Sequence, residues 1–148
     1  MQIHEISSRP ARLLLVDDNA QNIELLTVLM EAEGHEVISA ADGLEALAHV
    51  AATPPDLILL DIMMPKLDGY AVCRRLKEET STRLVPVVLL TALGEEAARI
   101  RGIEAGADDF ITKPFSRTEL KARIRSLLRL KTFTDELEHA ETMLLALG

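Results

Sequence analysis

The chain has 148 residues, a net charge of −8 and one cysteine, with 48% apolar and 27% charged residues. That length suits one domain with a full core and a short appendage, and the lone Cys73 excludes an internal disulfide and fits a reducing compartment. The acidic balance argues against a general nucleic-acid binder, and no apolar run approaches the roughly 18 residues needed to cross a bilayer.

The opening "MQIHEISSRPAR" has no hydrophobic signal-peptide core, so a cytoplasmic location is expected. Residues 1–11 read as an N-terminal arm. Short apolar runs then alternate with amphipathic stretches. The runs are "RLLLV" (12–16), "HEVISA" (35–40), "LILL" (57–60), "PVVLL" (86–90) and "DFI" (109–111). The first, third and fourth, apolar on both faces, predict parallel strands covered on both sides. Helical patterns fall at 21–33, 42–51, 69–79 and 95–105, with Ile23, Leu26 and Met30 on one face of the first. Asp18 or Asn19 suits the first N-cap, Asp42 the second, and Gly34 a left-handed helix end. Five strands alternating with helices predict an α/β fold, a doubly wound five-stranded parallel sheet of (βα)5, flavodoxin-like form.

The last element differs. From about Ser116 to Leu147 there is no Pro or Gly, only Ser116 or Thr118 as caps, and good helix formers. At about 1.5 Å per residue such a helix approaches ~45 Å, more than one domain covers, so the part beyond about Leu130 is expected to project.

The apolar runs end on chemistry. Asp17 and Asp18 follow the first, Asp61 the third, Thr91 the fourth and Lys113 the fifth. Open α/β sheets bind ligands beyond the carboxyl ends of their strands. A lone Asp there is usually a cap and a lone Lys-Pro a loop; five such residues at the ends of four strands are not an accident of composition. Three gathered carboxylates repel one another unless a hard dication relieves them, and Mg²⁺ takes carboxylates with water or phosphoryl oxygens in its remaining positions. Lys113 and Thr91 add a mobile positive charge and a hydroxyl donor for phosphoryl oxygens. An Asp so placed can act as nucleophile in phosphoryl transfer.

Together "LLLVDDN", "LILLDIMMPKLDGY", "PVVLLTA" and "GADDFITKPF" resemble the receiver domain of bacterial two-component response regulators, over residues 12 to 129. The resemblance implies that Asp61 is phosphorylated by a sensor histidine kinase or phosphotransfer protein, with Asp17, Asp18, Asp61 and the Met63 carbonyl around Mg²⁺. It implies that Thr91 and Lys113 contact the phosphoryl group, and that the chain is a regulatory phosphoacceptor rather than an enzyme in its own right. A switch is implied too: Thr91 moves toward the phosphate, Phe110 turns inward, and the surface of the fourth helix, fifth strand and fifth helix changes. Lys113–Pro114 is expected to be cis. Phe110 stands where many relatives have Tyr. Met63 and Leu93, which by family analogy flank the attacking water, are apolar and cannot orient it, so slow loss of the phosphoryl group is expected.

Residues 130–148 are expected to form a projecting helical linker. Leu130, Phe133, Leu137, Ala140, Leu144 and Leu147 follow heptad spacing, which favours a homodimer through this helix and, as a further contact, the face of the fourth helix, fifth strand and fifth helix. The competing reading is an amphipathic helix docked on something missing from this sequence. "TDELEHAETMLLALG" is similar to linkers joining receivers to HD-GYP domains, which hydrolyse cyclic di-GMP. Receivers coupled to diguanylate cyclases carry comparable helices, so a covalently linked output domain is expected. From Lys113 to Lys131 there are seven basic residues and one acid, Glu119. Arg117, Lys121, Arg125 and Arg129 form a stripe, either solvated or answered, within or between protomers, by Glu95, Glu96, Glu104, Asp108 and Asp109.

Three alternatives fit the sequence less well. A stand-alone receiver acting by protein contact would not need the long helix. A haloacid-dehalogenase-like phosphatase needs a second Asp two positions after the nucleophile, where Met63 stands. A flavodoxin-like cofactor binder wants a phosphate loop where "DDNAQN" lies. The histidines at 4, 35, 49 and 139 are scattered and suggest no metal cluster, and Cys73 reads as a packing residue.

Overall fold

The computed structural model describes residues 10–64, 66–92 and 96–147. Most of the expected N-terminal arm, Leu93 and Glu95 fall outside them. Strands β1 (Arg12–Val16), β2 (Glu36–Ala40), β3 (Leu57–Asp61), β4 (Val87–Ala92) and β5 (Asp109–Lys113) alternate with helices α1 (Ala20–Ala32), α2 (Gly43–Ala52), α3 (Gly69–Glu78), α4 (Glu96–Ala105) and α5 (Arg117–Leu147). All four strand pairings are parallel, in the order β2-β1-β3-β4-β5.

The strand patterns explain that order. β1, β3 and β4 are buried almost throughout and lie inside, whereas β2 and β5, with mixed burial, take the edges. Two apolar layers cover the sheet. On one face Leu14, Ile58, Leu60, Val87 and Leu89 pack with residues of α2, α3 and α4; on the other Leu13, Leu15, Leu57, Leu59, Val88 and Leu90 pack with α1 and α5. Alternation along each strand thus assigns odd and even residues to opposite layers.

Caps follow local chemistry. The Asn19 side chain accepts from the N–H of Gln21 and Asn22, Asp42 from Glu45 and Asp68 from Ala71, while Ser116 Oγ accepts from Glu119 N–H. Gly34 adopts φ +90 just after α1. Lys113–Pro114 is cis.

Three strands run further than their apolar letters, β5 among them, which reaches Lys113 rather than Ile111. β3 includes Asp61, and β4 extends through Thr91 to Ala92, because ladder pairing (Asp61 with Leu90, Thr91 with Thr112) continues beyond the hydrophobic run. The stripe on α5 is also answered differently. Glu33, at the end of α1, meets Arg125 Nη2 at 2.6 Å and Lys121 Nζ at 3.9 Å. Among the described residues, Glu96, Glu104, Asp108 and Asp109 of the same chain form no ion pair with the stripe. Asp109 is held instead by Arg123, which is outside the stripe, at 2.8 Å. Lys121 and Arg125, four residues apart, share the flank of α5 that faces α1, and Arg123 lies round the helix toward β5. After Ile124 α5 has no buried residue, and Leu137 and Leu144 are 62% and 69% exposed.

Candidate functional site

The carboxyl ends of β1 and β3 lie side by side, since Val16 pairs with Leu60. The next residues are therefore Asp17 and Asp61, and sheet geometry makes neighbours of acids 44 positions apart. Carboxylate oxygens of Asp17, Asp18 and Asp61 all lie within 4.8 Å of one another. Asp17 and Asp61 are buried and Asp18 is exposed, so the cluster opens to solvent on one side.

α1 orients Asp17. Its Oδ1 accepts from Asn19 N–H at 2.9 Å and its Oδ2 from Asn22 Nδ2 at 3.2 Å. Asn22 was missed in the sequence; its place three residues after the capping Asn19 is the only signal that could have marked it. Lys113, at the end of β5, reaches across to Asp61 Oδ1 at 3.2 Å and Asp17 Oδ2 at 3.7 Å. Thr91, beside Asp61 on the next strand, is 2% exposed. The Met63 side chain points out, 79% exposed, while its backbone N–H serves the Asp61 carboxylate.

Burial raises the pKa of Asp61 above the usual carboxylate range, and the negative charge of Asp17 raises it further; Lys113 and the Met63 N–H act in the opposite direction. Lys113 does not cancel the cost of gathering these acids. An all-oxygen set of three carboxylates with an open side suits a hard dication such as Mg²⁺, which supplies the missing charge and keeps positions free for other oxygen ligands.

Gly69 sets the loop after β3. A Cβ there would lie 2.5 Å from the Asp61 carbonyl oxygen and 2.9 Å from Ile62 Cα, so only glycine lets α3 start so close to the acidic site. Lys66, with φ 67, turns the same loop and pairs with Asp42 at 3.3 Å. Phe110 is half-buried. It packs at Gly102 of α4, where an added Cβ would overlap its ring, and the Arg99 guanidinium lies 5.6 Å from the ring centroid. The five residues singled out at strand ends thus come together, and Phe110 sits one strand away toward α4.

The sequence profile of the response regulator receiver domain matches residues 13–125. The chain belongs to the response regulator receiver family. Response regulator PleD of Caulobacter vibrioides is 52% identical over 131 residues, which are 88% of this chain and 29% of PleD. The DNA-binding dual master transcriptional regulator RpaA of a Synechocystis strain is 44% identical over 80% of this chain and 49% of its own length. The receiver domain thus spans less than half of either relative. Among solved structures, the receiver domain of the sensor histidine kinase PA1611 from Pseudomonas aeruginosa, with a magnesium ion coordinated in its active-site cleft, superposes with a TM-score of 0.75 at 32% identity, covering 80% of this chain and 98% of that one. A response regulator structure from Chloroflexus aurantiacus gives 0.79 at 39% identity, with 81% and 98% covered. The chain is therefore a receiver domain of the two-component type, and no helix among its described residues is long and apolar enough to cross a membrane.

Proposed function

We propose that Asp61 is the phosphoacceptor of this receiver and that a sensor histidine kinase, or a phosphotransfer protein, is the donor. The observation that carries the reading is the meeting of Asp61 with Asp17, Asp18 and Lys113 at one sheet edge. An Asp61 carboxylate oxygen attacks phosphorus, the P–N bond of the donor phosphohistidine breaks, and its electron pair returns to the imidazole nitrogen. Asp17, Asp18, Asp61 and the Met63 carbonyl would hold Mg²⁺, which neutralises charge on the phosphoryl oxygens when bound. Lys113 leaves its place between Asp61 and Asp17 to pair with the transferred group, and Thr91 donates its hydroxyl to another phosphoryl oxygen. Phe110 then turns inward and the α4-β5-α5 surface changes.

Residues 12–129 form the receiver in this reading, and 130–148 a helical linker to an output domain. The apolar heptad face of the linker fits a homodimer, with the α4-β5-α5 face as a second contact. The resemblance of the linker to those before HD-GYP and diguanylate cyclase domains supports cyclic di-GMP turnover as the output. The expected location is the cytoplasm.

The test is acetyl phosphate labelling with Mg²⁺, read as a phosphate-dependent gel shift, for wild type and Asp61→Asn. Wild type is expected to gain one acid-stable, base-labile phosphoryl group and the variant none. Labelling that survives in the variant places the acceptor elsewhere. Met63 offers no polar side chain to orient a water, so the label should persist well beyond seconds.

A further inference from the structure

Helix α4 has a weak hold of its own on the sheet. Among its described residues it buries Ala98, Gly102 and Ala105, while Ile100 and Ile103 are 51% and 63% exposed. Hydrophobic stabilisation scales with buried apolar area, and two methyl groups and a glycine offer little. Side chains from neighbouring elements grip it instead. Phe110 of β5 fills the notch at Gly102. At the first turn, Tyr70 of α3 donates from its hydroxyl to the Ala98 carbonyl at 3.0 Å, and the Arg101 guanidinium lies over the Tyr70 ring, 4.2 Å from its centroid.

Tyr70 is tied to the acidic site from the other side. It follows Gly69, whose N–H donates to the Ile62 carbonyl at 3.1 Å and whose Cα packs against the Asp61 peptide. The buried ring therefore bridges the end of β3 and the start of α4, by a route separate from the one through β4 and β5.

We infer that Tyr70 is a positioning residue of the phosphoryl switch: its hydroxyl holds the first turn of α4 in the arrangement seen here and so sets how readily Asp61 takes a phosphoryl group. The inference rests on Asp61 being the phosphoacceptor. A group bound at Asp61 can move α4 only through a difference in affinity between two arrangements, and the bond to Ala98 favours one of them. Removing the hydroxyl lowers that bias and leaves Asp17, Asp18, Asp61, Thr91 and Lys113 themselves in place. One neutral hydrogen bond corresponds to about a threefold to tenfold change in the equilibrium.

The experiment is a titration of beryllofluoride, as a stand-in for the phosphoryl group, at fixed Mg²⁺ with wild type, Tyr70→Phe and Arg101→Gln, with amide hydrogen exchange across α4 and urea stability in parallel. Tyr70→Phe keeps the ring and its stacking and loses only the hydroxyl; Arg101→Gln, at an exposed position, removes the cap on the ring. The expected result is beryllofluoride affinity about threefold to tenfold tighter in Tyr70→Phe, a smaller change in the same direction in Arg101→Gln, and faster exchange in the first turn of α4. Unchanged or weaker affinity in both variants overturns the inference, whatever happens to urea stability, because a merely structural role lowers stability alone. If wild type itself binds no beryllofluoride, the phosphoacceptor reading fails, and the inference falls with it.

Discussion

Asp61 and His35 show how the same force, loss of solvent, acts with opposite sign on an acid and a base. Burial first, then Asp17, raise the pKa of Asp61. The stability linked to this group is therefore present below the usual carboxylate value of about 3.9 and is lost as pH rises through the folded value. At neutral pH the ionised Asp61 works against the fold, so metal-free Asp61→Asn should melt about 2–4 °C above wild type. Calorimetry with and without Mg²⁺ checks this, and added Mg²⁺ should narrow the gap by stabilising wild type through binding. A variant that melts at or below wild type without metal would refute the electrostatic account.

His35 is the converse case. Its Nδ1 accepts from Ala11 N–H at 3.2 Å, and burial, with a smaller effect of Arg125, lowers its pKa against the opposing pull of Glu33 and Asp56. Its contribution is complete above the unfolded value of about 6.5 and is lost as pH falls through it toward the folded value. His35→Gln retains an acceptor without the titration. Its melting point should fall less between about pH 7 and 5 than that of wild type; parallel melting curves across that range would remove His35 as the cause. Cys73, by contrast, is a packing residue: it is buried, its thiol is pushed up to about 11, and its Sγ lies 3.5 Å from the Ala105 carbonyl.

At the scale of elements, the start of α3 passes close against the end of β3. Gly69 has no room for a side chain, and the atoms in the way belong to the backbone of Asp61 and Ile62, which cannot rotate aside. Gly69→Ala should therefore cost roughly 1–3 kcal/mol in urea unfolding and weaken Mg²⁺ binding, since the only relief is to shift the peptide that carries Asp61. Stability within 0.5 kcal/mol of wild type, about the usual range for neutral surface changes, would mean that the loop relaxes freely. The letters from 69 to 79 predict a helix starting here. They could not show that the glycine is demanded by the end of a strand eight residues earlier, since that contact exists only once α3 has packed on the sheet.

For the whole molecule, the main question is α5. Its first half packs on the sheet through Leu120 and Ile124 and is locked to α1 by Glu33. Beyond that the apolar positions are open, with Phe133 at 56% exposure and Leu147 at 83%. A double substitution, Leu137→Glu with Leu144→Glu, should leave the monomer melting point within about 1 °C of wild type, as exposed sites contribute little to a fold. The same change should abolish any dimer seen by light scattering with Mg²⁺ and beryllofluoride. A dimer that persists would move the contact to the α4-β5-α5 face, and a wild type that stays monomeric while binding beryllofluoride would leave signalling to another partner of the helix.

Much of this protein can be read along the chain. Strand and helix follow from the spacing of apolar residues, caps from Asn19, Asp42 and Ser116, and the acidic site from Asp17, Asp18, Asp61, Thr91 and Lys113 ending their runs. Those features repeat or adjoin locally, and a parallel sheet brings all strand ends to one edge whatever the details of packing. Tertiary structure alone decided which charge answers which, placing Glu33 against the stripe on α5, across 92 residues. It also set the grip of Tyr70 on Ala98, 28 residues away, and the notch that receives Phe110. Each depends on the rotation of one helix against its neighbours, and that rotation is settled by the summed packing of the whole core, which no stretch of letters carries by itself.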